Sequence, residues 1–142
     1  MREYMAETWI DAPPEVVWEV LSDGPGYAGW DNGVVEVEGT IAESERISVR
    51  SEVQPGRAFR LRVSDVEPAR GMTWQDGMPL GLFSGRRRFA LEPERGGTAF
   101  SVREVFSGPL AGLVTRSMPD LQPSFDTFAS GLKAEAEGRV RG

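Results

Sequence analysis

Three charged side chains, Arg87, Glu104 and Asp76, carry most of the chemistry this sequence can bring to an apolar surface. The chain of 142 residues has no histidine and no cysteine. That excludes Ser-His-Asp and Cys-His nucleophilic machinery, thiol redox chemistry, disulfides and the His/Cys zinc sites. It also removes the one side chain whose ordinary pKa lies near neutrality, so acid–base work would fall to a carboxylate or amine with a shifted pKa. Nothing in the remaining inventory points to a metal site or a cofactor.

The three residues come together through strand alternation. Residues 83–92 and 98–107 both alternate. Phe89 and Leu91 share a face with Arg87, Gly85 and Phe83, while Phe100, Val102 and Phe106 share one with Glu104. A turn centred on Arg95-Gly96 sets Phe89 opposite Val102 and Arg87 opposite Glu104. Two opposite charges then meet on an apolar wall. They are either a satisfied internal ion pair (or are split by a bulge that sends one to solvent), or a polar spot that holds one end of an apolar ligand or polarises its carbonyl. Burying a charge is costly unless it is paired, which makes an inward pair worth noticing. In 57–66, Phe59, Leu61 and Val63 share a face, as do Met72, Trp74 and Asp76 in 70–77. A turn centred on Pro68-Ala69 puts Val63 opposite Trp74 and Leu61 opposite Asp76. Asp76 is then a carboxylate on an apolar face, or a cap for the loop at Gly77. The run Arg86-Arg87-Arg88 splits into two outward arginines and one inward, which argues against a phosphate-binding cluster.

The elements that must position these residues follow from periodicity and turn chemistry. Tyr4–Asp11 reads as a strand. Pro14 opens a short amphipathic helix over 14–22, with Val16, Val17, Val20 and Leu21 at helical spacing. A further turn of helix is expected at Tyr27–Trp30. Six strands are then expected at 33–39, 45–54, 57–66, 70–77, 83–92 and 98–107, joined by Gly- and Pro-rich turns short enough for antiparallel neighbours. From Leu110 to Ala136 the period changes to a helical stripe that includes Met118, Leu121, Phe125 and Phe128. Pro119 and Pro123 predict a kink or break near 117–123, and residues 138–142 are expected to fray. The fold class expected is α+β: a curved antiparallel sheet of about seven strands gripping a long C-terminal helix, with two short helices after the first strand. Residues 1–142 make one domain in this reading.

The segment Ile10-Asp11-Ala12-Pro13-Pro14-Glu15-Val16-Val17-Trp18-Glu19-Val20-Leu21-Ser22-Asp23 resembles the opening of the SRPBCC/START-like superfamily, in particular its polyketide cyclase/dehydrase branch. Trp30 matches the tryptophan that follows in that family, and Gly96-Gly97-Thr98 matches its entry into the last strand. The likeness spans essentially the whole chain in element order and is strongest over the first thirty residues. It implies a helix-grip fold with a hydrophobic cavity between sheet and helix. Relatives of this type include lipid and sterol carriers, aromatases and cyclases, hormone receptors and chaperone-ATPase activators. They share no common catalytic motif, so no catalytic residue carries over by position.

The expected pocket is lined by Phe59, Leu61, Val63, Trp74, Phe89, Val102, Leu121, Phe125 and Phe128, with Asp76, Arg87 and Glu104 as its polar groups. Binding of a small hydrophobic molecule of lipid, polyketide or aromatic type is the leading expectation. A cyclase or dehydratase-like enzyme, with Glu104 or Asp76 accepting a proton, and a ligand-free interaction module such as a chaperone-ATPase activator are the alternatives. Arg87 beside Glu104 counts against Glu104 as a base. The apolar loop 77–83 suits either a lid or self-association, hence a possible homodimer. Sixteen basic against twenty-two acidic residues leave a net charge of −6, which disfavours nucleic acid and anionic membrane surfaces as partners. The acidic N-terminus lacks the apolar run of a signal peptide and no stretch approaches the roughly 20 apolar residues of a spanning helix, so a cytoplasmic location without membrane insertion is expected.

Overall fold

The computed structural model describes residues 2–53 and 55–142. Gln54, expected at the end of the third strand, and Met1 lie outside the described residues. Seven strands, β1 (Arg2–Ile10), β2 (Val34–Glu38), β3 (Arg46–Ser51), β4 (Ala58–Glu67), β5 (Gly71–Gly77), β6 (Ser84–Glu94) and β7 (Gly97–Ser107), form one antiparallel sheet in the order β1-β7-β6-β5-β4-β3-β2. Helix α1 (Pro14–Ser22) and a 3₁₀ turn (Pro25–Gly29) follow β1, and α2 (Ala111–Arg116) and α3 (Gln122–Arg141) close the chain.

The β6–β7 hairpin sets the register on which the site depends. Arg95 and Gly96 both have positive φ, 50° and 80°, the conformation a two-residue hairpin loop needs to match strand twist. From that turn the ladder runs unbroken, and Phe89 pairs with Val102 and Arg87 with Glu104 as the alternation requires. Val63 pairs with Trp74, and a bulge between Ser64 and Glu67 absorbs the positive φ of Asp65 before the β4–β5 turn.

The helical stripe breaks where its prolines demand. Helix α2 stops at Arg116, and α3 restarts at Gln122 with Pro123 in its first turn, where the missing N–H costs nothing. Helix α3 buries Phe125, Phe128, Ala129, Leu132 and Ala136 at intervals of three, four and one. Contrary to the expected fraying, α3 continues to Arg141. Pairs Lys133–Glu137, Arg139–Glu135 and Arg141–Glu137, each four residues apart, support its final turns. Helix α1 packs against α3, and α3 against β1, closing one end of the molecule around Ile10, Val17, Leu21, Leu132 and Ala136.

Candidate functional site

At the other end, sheet and helices part. An open cavity of about 670 Å³ lies between the concave face of β4–β7 and the α2–α3 break. Its helical side is supplied by Val114, Ser117, Met118, Pro119, Leu121, Ser124, Phe125 and Phe128. The proline break therefore does more than end a helix: it lifts the chain off the sheet and turns Met118 and Leu121 into wall.

The structure brings ten of the twelve expected residues to this cavity: Phe59, Leu61, Trp74, Asp76, Arg87, Val102, Glu104, Leu121, Phe125 and Phe128. Val63 and Phe89 do not reach it. Both have the right face, but both are fully buried in the closed core. Phe89 lies beneath Trp74 and Phe128, whose ring centres are 4.8 and 5.6 Å from its own. Several lining residues were absent from the expected set. Phe83 and Phe106 stack at 5.8 Å and line the wall, as do Gly85 and Arg57. Arg57 shares its parity with Phe59 and its guanidinium sits 4.8 Å above that ring. Parity was the available signal for all of them.

The polar floor is built from three adjacent strands. Arg87 donates from Nε and from Nη2 to Glu104 Oε1, both at 2.7 Å. The ring of Phe125 packs over the guanidinium at 4.6 Å, and Tyr4 stacks on Phe125 at 5.7 Å. The ion pair is thus real and inward, with no bulge to split it. Asp76 pairs in the ladder with Gly85, which pairs in turn with Phe106. Gly85 is buried, and an idealised β-carbon on it would lie 3.0 Å from Asp76 Oδ1 and 3.3 Å from Glu104 Oε2. Both carboxylates thus flank the same bare stretch of backbone.

Their environments differ. Asp76 is partly buried and its pKa is pushed up from 3.8 to about 6, chiefly by desolvation, with the Glu104 charge adding to it and Arg87 and Arg57 opposing. Tyr27, one of two phenols in the chain, is fully buried and donates to the Leu21 carbonyl at 2.7 Å. Burial raises its pKa far above the ordinary range, which leaves Asp76 as the titratable group of interest near neutrality. The mouth is rimmed by the loop after β5: Met78 and Phe83 line the cavity, while Leu80 is 95% exposed. That loop is held by Met78 N–H donating to Phe83 O and by Leu110 N–H donating to Leu82 O. Among the described residues, no group of three or more His, Cys, Asp or Glu stands where it could hold a metal ion, and no helix is long and apolar enough to cross a membrane.

A sheet wrapped on a broken C-terminal helix around such a cavity is matched by one family model over residues 1–137, described as polyketide cyclase/dehydrase and lipid transport. The chain belongs to the polyketide cyclase/dehydrase and lipid transport family. Solved structures agree on its helix-grip fold. The aromatase/cyclase Zhui from Streptomyces superposes with a TM-score of 0.74 at 19% identity, covering 99% of this chain and 96% of that one. A hypothetical protein of Helicobacter pylori gives 0.75 at 13% identity, covering 95% and 88%. The Aha1 dimer from Colwellia psychrerythraea gives 0.59 at 20% identity, covering 74% and 76%. Comparison with curated proteins finds no match. Within the polyketide cyclase/dehydrase family, then, this chain has an aromatic cavity with a compact three-residue polar floor.

Proposed function

We propose that this protein binds a small, largely apolar molecule, of lipid, polyketide or aromatic type, in the cavity between sheet and C-terminal helices. The observation that carries the reading is the cavity itself. Its volume of about 670 Å³ falls in the range of small-molecule sites, and aromatic walls around a few convergent polar groups are what such sites present. The family description and the helix-grip neighbours support it. Titration with the neutral fluorophore N-phenyl-α-naphthylamine is expected to show saturable, one-site binding. Leu61→Trp, which puts bulk into the wall of β4, is expected to abolish that binding while far-ultraviolet circular dichroism stays native. Non-saturable binding, or a titration unchanged by Leu61→Trp, would refute the reading.

A second reading is favoured by one observation, the elevated pKa of Asp76. A carboxylate titrating near 6 is suited to accept or donate a proton at neutral pH, and one structural neighbour is the aromatase/cyclase Zhui. In that reading Asp76 is the proton acceptor. Glu104 is not, because the Arg87 fork holds its Oε1 from two donors.

A further inference from the structure

We propose that the polar floor selects the chemistry of the ligand's buried end: it accepts a neutral hydroxyl, phenolic or enolic in type, on an apolar ring system and discriminates against a carboxylate. The inference rests on the proposed binding function and specifies its ligand class.

The argument begins with which charges are already spent. Arg87 is the cation that would ordinarily capture a carboxylate, yet its Nε and Nη2 are both committed to Glu104 at 2.7 Å and its face is covered by Phe125. What remains open on the floor is acceptor capacity. Asp76 Oδ1 and Glu104 Oε2 converge over Gly85, beside the edge of the Phe106 ring, whose Cε1 would lie 3.1 Å from a β-carbon there. An incoming carboxylate there would meet two carboxylates, and like charges in a partly desolvated site repel. An incoming hydroxyl would donate to either, and hydrogen bonds to a charged acceptor are the stronger class.

The other charged groups of the lining are arginines at its exposed edge, not on the floor. These are Arg46, Arg57, Arg60 and Arg62, all of them solvent-exposed; Arg57 lies over Phe59, and its charge opposes the upward shift of the Asp76 carboxyl without cancelling it. The α2–α3 side contributes Ser117, Ser124 and apolar groups to the lining, and no charged one. Taken by itself, the partly buried floor of Asp76, Arg87 and Glu104 carries about one net negative charge when Asp76 is ionised, and the arginines at the exposed edge face the outer end of a ligand. The walls set the rest of the ligand: the rings of Phe59, Phe83, Phe106, Phe125 and Phe128 fit a flat, unsaturated body.

The test is competition against N-phenyl-α-naphthylamine by naphthalenes that carry a hydroxyl, a methoxy group or a carboxylate at the same β position. At about pH 7.5, β-naphthol is expected to compete roughly tenfold or more better than both others, the ratio a hydrogen bond to a charged group supports. Asp76→Asn is expected to cut that advantage several-fold, read within each protein as the ratio of β-naphthol to β-methoxynaphthalene affinity. In the wild type the advantage should shrink as pH falls from about 7.5 to about 5 and Asp76 takes up its proton. Equal or tighter binding of β-naphthoate, or a hydroxyl advantage untouched by Asp76→Asn, overturns the proposal while the cavity reading stands. Failure of the fluorophore and all three naphthalenes to bind overturns both.

Discussion

Asp76 shows how a single side chain can be set against the stability of the molecule that carries it. Its carboxyl titrates at about 6 in the folded chain against an ordinary 3.8, mainly because burial disfavours the charge. The folded state therefore holds this proton more tightly than the unfolded state between those two values. Stability contributed by the group is full below the ordinary pKa and is lost as pH rises through about 6. Asp76→Asn removes the ionisation while keeping the shape. We expect the variant to be more stable than the wild type at about pH 7.5 by roughly 1–2 kcal/mol, after allowance for solvent screening of a part-exposed group, and to equal or fall below it at about pH 4. Urea denaturation at both pH values measures the difference. Parallel curves for the two proteins would show that Asp76 is not penalised in the fold. Comparing wild type with variant also cancels groups such as Glu137, whose pKa is lowered by the Asp11 amide and Lys133 and which works in the opposite direction. At this scale the sequence was informative about face and silent about depth. Alternation identifies Arg87, Glu104 and Asp76 as inward, and the two-residue turn at Arg95-Gly96 sets Arg87 opposite Glu104. It could not say that the rings of Trp74 and Phe128 would cover Phe89, or that Arg57, just outside β4, would fold back over Phe59. Those outcomes depend on packing between elements distant in sequence.

Helix α3 seals the closed end by approaching another backbone at one point. A β-carbon on Gly131 would collide with the Asp31 carbonyl, with Trp30 Cε3 at 3.4 Å close behind. Glycine is a poor helix former, so on propensity alone Gly131→Ala should stabilise α3 by up to about 1 kcal/mol. Contact with a backbone carbonyl decides otherwise, since neither the helix nor the loop after the 3₁₀ turn has a rotamer that relieves it. We expect Gly131→Ala to destabilise the protein by about 1–3 kcal/mol net, the usual range for overpacking. Gly138→Ala, on the same helix with no atom within contact range, serves as the control and should be neutral or mildly stabilising. If thermal melts rank the two alike, the close approach does not constrain the helix. The element boundaries themselves were mostly readable, because each has a local chemical cause. Pro119 and Pro123 announce the α2–α3 break, and Pro14 announces α1. The C-terminal end was misread because glycine and arginine near a terminus suggest fraying, whereas the acids four residues upstream of Arg139 and Arg141 hold the last turns.

Across the whole molecule the two ends of the sheet are supported unequally. The strands β1, β7 and β6 carry α1 and α3, while among the described residues β3 and β4 make no comparable contact with either helix. The space that separates them from the helices is the cavity. The strand order that creates this asymmetry, with β1 beside β7, had no local signature, because nothing near Arg2 in sequence announces a partner near Phe106. Opening free energies should follow the asymmetry, since regions with few buried contacts open without global unfolding. Amide hydrogen exchange is therefore expected to be slowest in β1, β6, β7 and the C-terminal half of α3. It should be faster by about tenfold or more in β2, β3 and the loop 77–83, which open locally. A guest bound as proposed would supply the missing contacts between β3–β5 and residues 117–121. Adding a saturating naphthalene ligand should therefore slow exchange most in those segments and least in β1, where the core is already closed. Uniform slowing across the sheet would mean that the ligand acts only by mass action on global unfolding. Slowing confined to β1 and α1 would locate the ligand at the wrong end of the molecule. Selective slowing at β3–β5 and 117–121 ties the unequal support of the sheet to the binding of a guest.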